Sequence, residues 1–224
     1  MITKKRTIQQ IVEEQSKRWE MMKSKSKQDR HDEISVITVS REPGSGGKLI
    51  AQGIAEKLGF DLFHQEVIHE MAESAQAKKM LMETLDEKGL SVIEDLISSL
   101  VYERHLWPDE YLKHLMNVVG TIGKHGRAVI VGRGVNFILQ KERTFRIRVI
   151  APLERRIQNV MKEYGSSEEE TRRRVLRTES DRRAFIRKYF NTSITDPVNY
   201  DLIINTDTMD LDMAVKAVIG ALGK

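Results

Sequence analysis

Gly44, Gly46 and Gly47, followed at once by Lys48, form a group whose residue types and spacing suit phosphate binding. Glycine accepts positive φ and lets a ligand approach the backbone, so successive amides of such a turn can converge on one anion. Arg133, set between Gly132 and Gly134, is a second candidate anion ligand. A third is the basic segment holding Arg172, Arg173, Arg174, Arg177, Arg182, Arg183 and Arg187. A guanidinium presents a planar fork of donors to phosphate oxygens. Glu179 and Asp181 are too few to pair seven arginines, which points to a set that closes over a triphosphate rather than to a solvated face.

These groups need elements to position them. Ile34, Val36, Ile37 and Val39 have the composition of a core strand, and Ile50, Ala51, Ile54, Ala55 and Leu58 recur at helical spacing. The glycine turn therefore joins a strand to a helix whose positive end faces the bound anion. Asp61 to Phe63 reads as a short strand. The following sixty or so residues are helical in pattern, with Val67, Ile68, Met71, Ala72 and Ala75 as a first apolar face. A second helix is expected from Ser91, which has capping-box spacing to Glu94. Trp107-Pro108-Asp109 should break the chain before a third, carrying Leu112, Leu115, Met116, Val119 and Ile122.

Ala128 to Val131 is a further buried strand leading into Gly132-Arg133-Gly134. Phe145, Ile147 and Val149 alternate with Arg146 and Arg148 in another, and Asp201 to Asn205 supplies the last. Ser166 with Glu169, or Ser167 with Glu170, can cap the arginine-bearing helix that continues through Val175, Leu176, Phe185, Ile186 and Tyr189. Strands interleaved with helices predict an α/β fold with a mostly parallel sheet, whose ligands bind beyond the carboxyl ends of the strands. The glycine turn and Arg133 both leave strands at that edge.

Composition narrows the function classes. The 224 residues, 40% hydrophobic with net charge +4, suit one α/β core with a helical subregion or extension. The absence of cysteine excludes disulfides, thiolate zinc sites and a cysteine nucleophile. No apolar run approaches membrane-spanning length and the polar start lacks a secretory signal, so a soluble cytoplasmic protein is expected, with neither DNA nor membrane as partner. A separate RNA surface is disfavoured because the basic helix lacks interleaved exposed aromatics. Residues 1–33 read as an N-terminal helical extension, with Ile8, Ile11, Val12 and Trp19 on one side, and a polar linker from Lys23. That helix either docks a partner or a second copy of the chain, or packs on its own domain; periodicity alone does not choose.

The glycine turn departs from G-x-x-x-x-G-K-[ST]. Aligned on Gly46, Arg41 stands at the first glycine, Gly47 at the lysine and Lys48 at the hydroxyl. Either Lys48 serves from a shifted position, or Arg41 and more distant cations do.

Taken in order, SREPGSGGKLIA, VGRGVNFIL, APLERRI and NYDLIINT resemble the cytidylate kinase-like family of P-loop nucleoside monophosphate kinases, from about Ile34 onward. The resemblance implies a P-loop NTPase three-layer fold over residues 34–224, with a helical acceptor-binding insertion at about 64–125 and an arginine-rich lid at about 166–197. It implies ATP and magnesium as cofactors, nucleotide substrates, and phosphoryl transfer to CMP or dCMP. Family logic places Arg41, Gly44, Ser45, Gly46, Gly47 and Lys48 around ATP and Arg133, Asp61 and His64 at the acceptor. Lys48, Arg177, Asp181, Arg182 and Arg183 carry the transfer, with no metal held by protein ligands alone. Related cytidylate kinases have lysine at Gly47, Gly-Arg-Asp where this chain has Gly132-Arg133-Gly134, and an acid where HQEVI begins. The alternatives are a kinase for another small acceptor and a nucleotide-binding regulator.

Overall fold

The computed structural model describes residues 7–23, 34–106 and 108–223. The chain opens with helix α1 (Ile8–Lys23), then strand β1 (Val36–Arg41), helix α2 (Gly47–Leu58) and strand β2 (Asp61–Phe63). Four helices follow: α3 (Gln65–Glu73), α4 (Ala75–Met82), α5 (Glu87–Glu103) and α6 (Glu110–His125). Strands β3 (Ala128–Val131) and β4 (Thr144–Ile150), helices α7 (Leu153–Tyr164) and α8 (Glu168–Phe190), strand β5 (Leu202–Asn205) and helix α9 (Leu211–Ala221) complete it.

All four strand pairings are parallel, in the order β2-β3-β1-β4-β5. Asp61, Ala128, Val36 and Thr144 share one level at the amino ends, while Arg41 pairs with Val149 near the carboxyl ends. Ile37, Val39, Val129, Val131, Ile147 and Val149 point to one face, where α2 and α9 cover them with Ile50, Ile54, Val215 and Val218. Burying each such side chain is worth about 1.5–3 kcal/mol. The second core lies among α1, α3, α4, α6 and the end of α8 and includes Ile68, Met71, Met116, Ile122 and Phe190. The alternation expected in β4 holds, yet its two arginines are buried as well. Arg146 grips Asp201 through two hydrogen bonds from its guanidinium, and Arg148 donates to Ser40 Oγ at 3.0 Å.

Several helix limits differ from expectation. α5 starts at Glu87, not Ser91, because Asp86 in extended conformation accepts from the Gly89 amide at 2.8 Å and starts the helix a turn earlier. Ala75 opens α4 rather than extending α3, since Ser74 caps there and accepts from the Ala77 amide. Ser167, the second of the two expected caps, starts α8. The break before α6 is present, with Asp109 as cap; Trp107 lies outside the described residues.

α1 spends its apolar side on its own chain. Val12 and Trp19 are buried in the second core, the Trp19 ring stacks on His125 with centroids 3.9 Å apart, and Gln15 and Arg18 both donate to Asp61. Beyond Lys23, the expected linker falls outside the described residues.

Candidate active site

The turn between β1 and α2 is held by what surrounds it. Gly44 and Gly46 adopt φ of 78° and 76°, where an L side chain costs about 1–2 kcal/mol. At Gly44 the room is also taken, since a Cβ would stand 2.4 Å from the Arg156 carbonyl oxygen. Asn159 donates to the Gly44 carbonyl at 2.8 Å, and Thr206 donates to the Ser45 carbonyl at 2.9 Å. Glu42 accepts from the Ala151 amide at 3.1 Å and lies 3.6 Å from Arg148 and 3.4 Å from Arg156. Gly46 caps α2 without a side-chain acceptor, and the first turn carries no acid. The leading amides and the helix dipole are thus offered to an external anion.

At the same sheet edge β3 runs into Gly132, Arg133 and Gly134, all at positive φ. Arg133, at φ 53°, is a non-glycine residue held in a costly conformation by its neighbours. A side chain at position 134 would collide with the Phe190 ring at 2.3 Å, which accounts for glycine in place of an acid.

Between this edge and α8 lies a cavity of about 330 Å³. Arg41, Arg133 and Arg182 line it, with Asp181, Gln65, Asn136 and Thr178 as further polar groups and Phe185, Ile186 and Ile194 as apolar wall. Arg182 donates to the Arg41 carbonyl at 2.9 Å, Arg41 donates to Gln65 Oε1 at 2.5 Å, and the Arg133 guanidinium lies over the Phe185 ring. Arg133 Nε and Asn136 Nδ2 are buried without a hydrogen-bond partner, leaving two donors for a ligand.

The model of the cytidylate kinase-like family matches residues 36–208, from β1 through β5. The chain belongs to this family. A cytidylate kinase of Ignicoccus hospitalis is 22% identical over 185 residues, spanning 83% of this chain and 97% of that protein. One from Methanopyrus kandleri is 27% identical over 186 residues, spanning 79% and 87%. Among solved structures, an uncharacterized protein from Eubacterium ventriosum matches with a TM-score of 0.59 at 20% identity, over 85% of this chain and 99% of that one. That likeness is one of fold. Membership in the cytidylate kinase-like family places the chain among P-loop phosphotransferases that handle nucleotides.

The charge balance of the cavity fits that class. Burial, then the nearby Arg182 and Arg133, push the Arg41 guanidinium down to about 9, against the pull of Glu66. Burial likewise lowers Arg182 to about 10, with Arg148 and Arg133 adding to the effect. Both stay protonated at neutral pH, so the cavity concentrates positive charge that an anionic ligand would relieve. His64, the cap of α3, is also harder to protonate than a free imidazole, through burial and the charges of Lys48 and Arg41. For Glu66, burial is outweighed by hydrogen bonds and by Lys48 and Arg41, and the carboxylate is held below its ordinary range.

Arg41, Arg133, Asp181 and Arg182 meet in the cavity wall, and Gly44, Ser45, Gly46, Gly47 and Lys48 form the adjoining turn and first residues of α2. His64 stands beside them, close enough to feel Lys48 and Arg41. Asp61 is elsewhere: it sits at the amino end of β2, engaged by Gln15 and Arg18 of α1. Arg177 is exposed on α8 and does not line the cavity, and Arg183 pairs with Glu179, which also holds Arg156 at 3.0 Å. The surplus of arginine on α8 is smaller than two acids suggest. Arg172 pairs with Glu154 and Glu168, Arg173 with Glu169, and Arg174 lies over the Tyr164 ring.

Sequence reading missed Gln65, Asn136 and Thr178 as cavity residues. Only Asn136 carried a signal, as a polar side chain between the apolar Val135 and Phe137.

Proposed function

We propose that this protein transfers the γ-phosphoryl group of ATP to a nucleoside monophosphate, with CMP or dCMP as the favoured acceptor. The observation that carries the reading is the convergence of Arg41, Arg133 and Arg182 in one cavity beside a glycine turn that leads into α2. The turn's amides hold the donor phosphates, with Lys48 at their solvent-exposed rim. Arg133 and the unpartnered Asn136 amide hold the acceptor, whose phosphate is already ionised and needs no strong base. Arg182, with Asp181 beside it, faces the transferring group, and the segment of about residues 166–197 that contains α8, with Arg177 and Arg183, acts as the lid.

An acceptor phosphate oxygen attacks the γ-phosphorus in line, the bond to the ADP bridging oxygen breaks, and ADP leaves with that electron pair. The cavity fits magnesium that arrives with the nucleotide, since Asp181 offers a carboxylate in its wall. When bound, magnesium would offset negative charge on the nucleotide phosphates. His64 adds a neutral donor or acceptor near the turn, whereas Asp61 has a structural partner in α1. A cytoplasmic location agrees with this chemistry and with the lack of any membrane-spanning helix among the described residues.

An acceptor panel tests the reading: purified protein with ATP and magnesium is offered CMP, dCMP, UMP, AMP and GMP, and diphosphate products are quantified. Turnover greatest with CMP or dCMP is expected. Turnover confined to a purine nucleotide would move the assignment to another acceptor, and ATP binding without any product would favour a regulator.

A further inference from the structure

We infer that Arg41 replaces the phosphate-loop lysine, reaching the donor phosphates from the end of β1 through the space that a side chain at position 47 would occupy. This rests on the phosphotransferase reading above and names the cation on which that site depends.

Two departures from the standard loop occur together, an arginine where the first glycine belongs and a glycine where the lysine belongs. The structure joins them. A Cβ built on Gly47 would lie 2.6 Å from Arg41 Cβ, 3.2 Å from Arg41 Cγ and 3.2 Å from Val149 Cβ, so Arg41 is the main obstacle to a side chain there. The Arg41 guanidinium continues across the sheet edge until Nη1 fills the space next to Gly132, where a Cβ would meet it at 2.4 Å. Gln65 fixes the other end of the fork through Nη2. The cation therefore lies between the glycine turn and Arg133, where a phosphoryl group passing between donor and acceptor needs compensation. Lys48, one residue later, is exposed on the first turn of α2, and its charge acts on His64 and Glu66. A guanidinium held by Gln65 also offers a planar fork to two phosphate oxygens, where lysine offers a point charge.

The test exchanges the two side chains. R41G, G47K and R41G/G47K are compared with wild type for ATP affinity by calorimetry without acceptor, and for transfer with the best acceptor. Arg41→Gly is expected to lower transfer about 100-fold, and Gly47→Lys to fail as well because Arg41 blocks its side chain. The double variant, with lysine in the standard register, should regain at least tenfold over either single variant. R41M and K48M provide a pair that preserves the packed stem of residue 41, and R41M should weaken ATP binding more than K48M does. A folded double variant no better than the singles, or a greater loss of ATP affinity in K48M than in R41M, would overturn the inference. Because affinity is read with ATP alone, failure of the exchange is distinguishable from failure of the proposed transfer, which would show as intact ATP binding without product in wild type.

Discussion

Glu42 links the glycine turn to the rest of the fold, and its removal has a calculable consequence. Its carboxylate is 15% exposed, while the side chains of Arg148 and Arg156 facing it are 6% and 7% exposed. In Glu42→Gln, both guanidiniums lose an anion that they cannot replace with water. Breaking a buried pair by removing one partner costs about 3–5 kcal/mol. Arg156 keeps Glu179 and the Ala151 carbonyl, and Arg148 keeps Ser40 Oγ. Those remaining bonds place the expectation at the lower end, about 3 kcal/mol. For a chain of this size that lowers Tm by about 6–12 °C. Urea unfolding followed by circular dichroism reads the effect, and the Arg148→Met background tests its cause. With one guanidinium gone, Glu42→Gln should cost no more than half as much. A loss below about 1 kcal/mol, or an equal loss in both backgrounds, would refute the reasoning, since mere disturbance of the turn would not depend on Arg148.

Three other outcomes are expected. Gly134→Ala places a Cβ against Phe190 in a backbone conformation unfavourable to alanine, and should cost at least about 2 kcal/mol of stability; stability within 0.5 kcal/mol of wild type in denaturant unfolding would contradict that packing. Trp19→Ala removes a buried ring stacked on His125, so about 3 kcal/mol should be lost even though α1 precedes the family match; a negligible loss in the same assay would show α1 to be dispensable. His64 has a lowered pKa, so protonation opposes folding, and its contribution to stability declines as pH falls through the imidazole range. A bound polyphosphate should raise that pKa and be taken up with a proton in mild acid, which an NMR titration of the imidazole with and without ATP measures; no upward movement would place His64 away from the phosphates.

Strand-level organisation was legible because parallel strands buried on both faces read as short β-branched runs, as in Ala128–Val131, which coincides with β3; the half-buried Asp61–Phe63 also coincides with β2. Helix starts were harder: Ser91 and Glu94 satisfy a capping pattern, but Asp86 also caps, and a helix once begun continues through a serine. The glycine turn was visible from its residues, whereas the cavity was not. Arg182 meets Asn136 there because Ile186 and Phe190 anchor the end of α8 in the core, a contact between segments distant in sequence. The partner of α1 was equally hidden, because an amphipathic stripe states that burial is needed and not against what. The arginines of α8 were over-read as one functional set, since Glu154 on a neighbouring helix and the acids of the first turn pair several of them.

The most direct test of the central claim follows labelled γ-phosphoryl from ATP onto CMP, in wild type and in Arg133→Ala, with ATP affinity measured alongside. Labelled CDP from wild type is predicted, reduced about 100-fold in the variant while ATP affinity stays within roughly threefold, as expected of a group that holds only the acceptor. No label on CMP or any other nucleoside monophosphate, or an equal loss of transfer and ATP affinity in Arg133→Ala, would contradict the account.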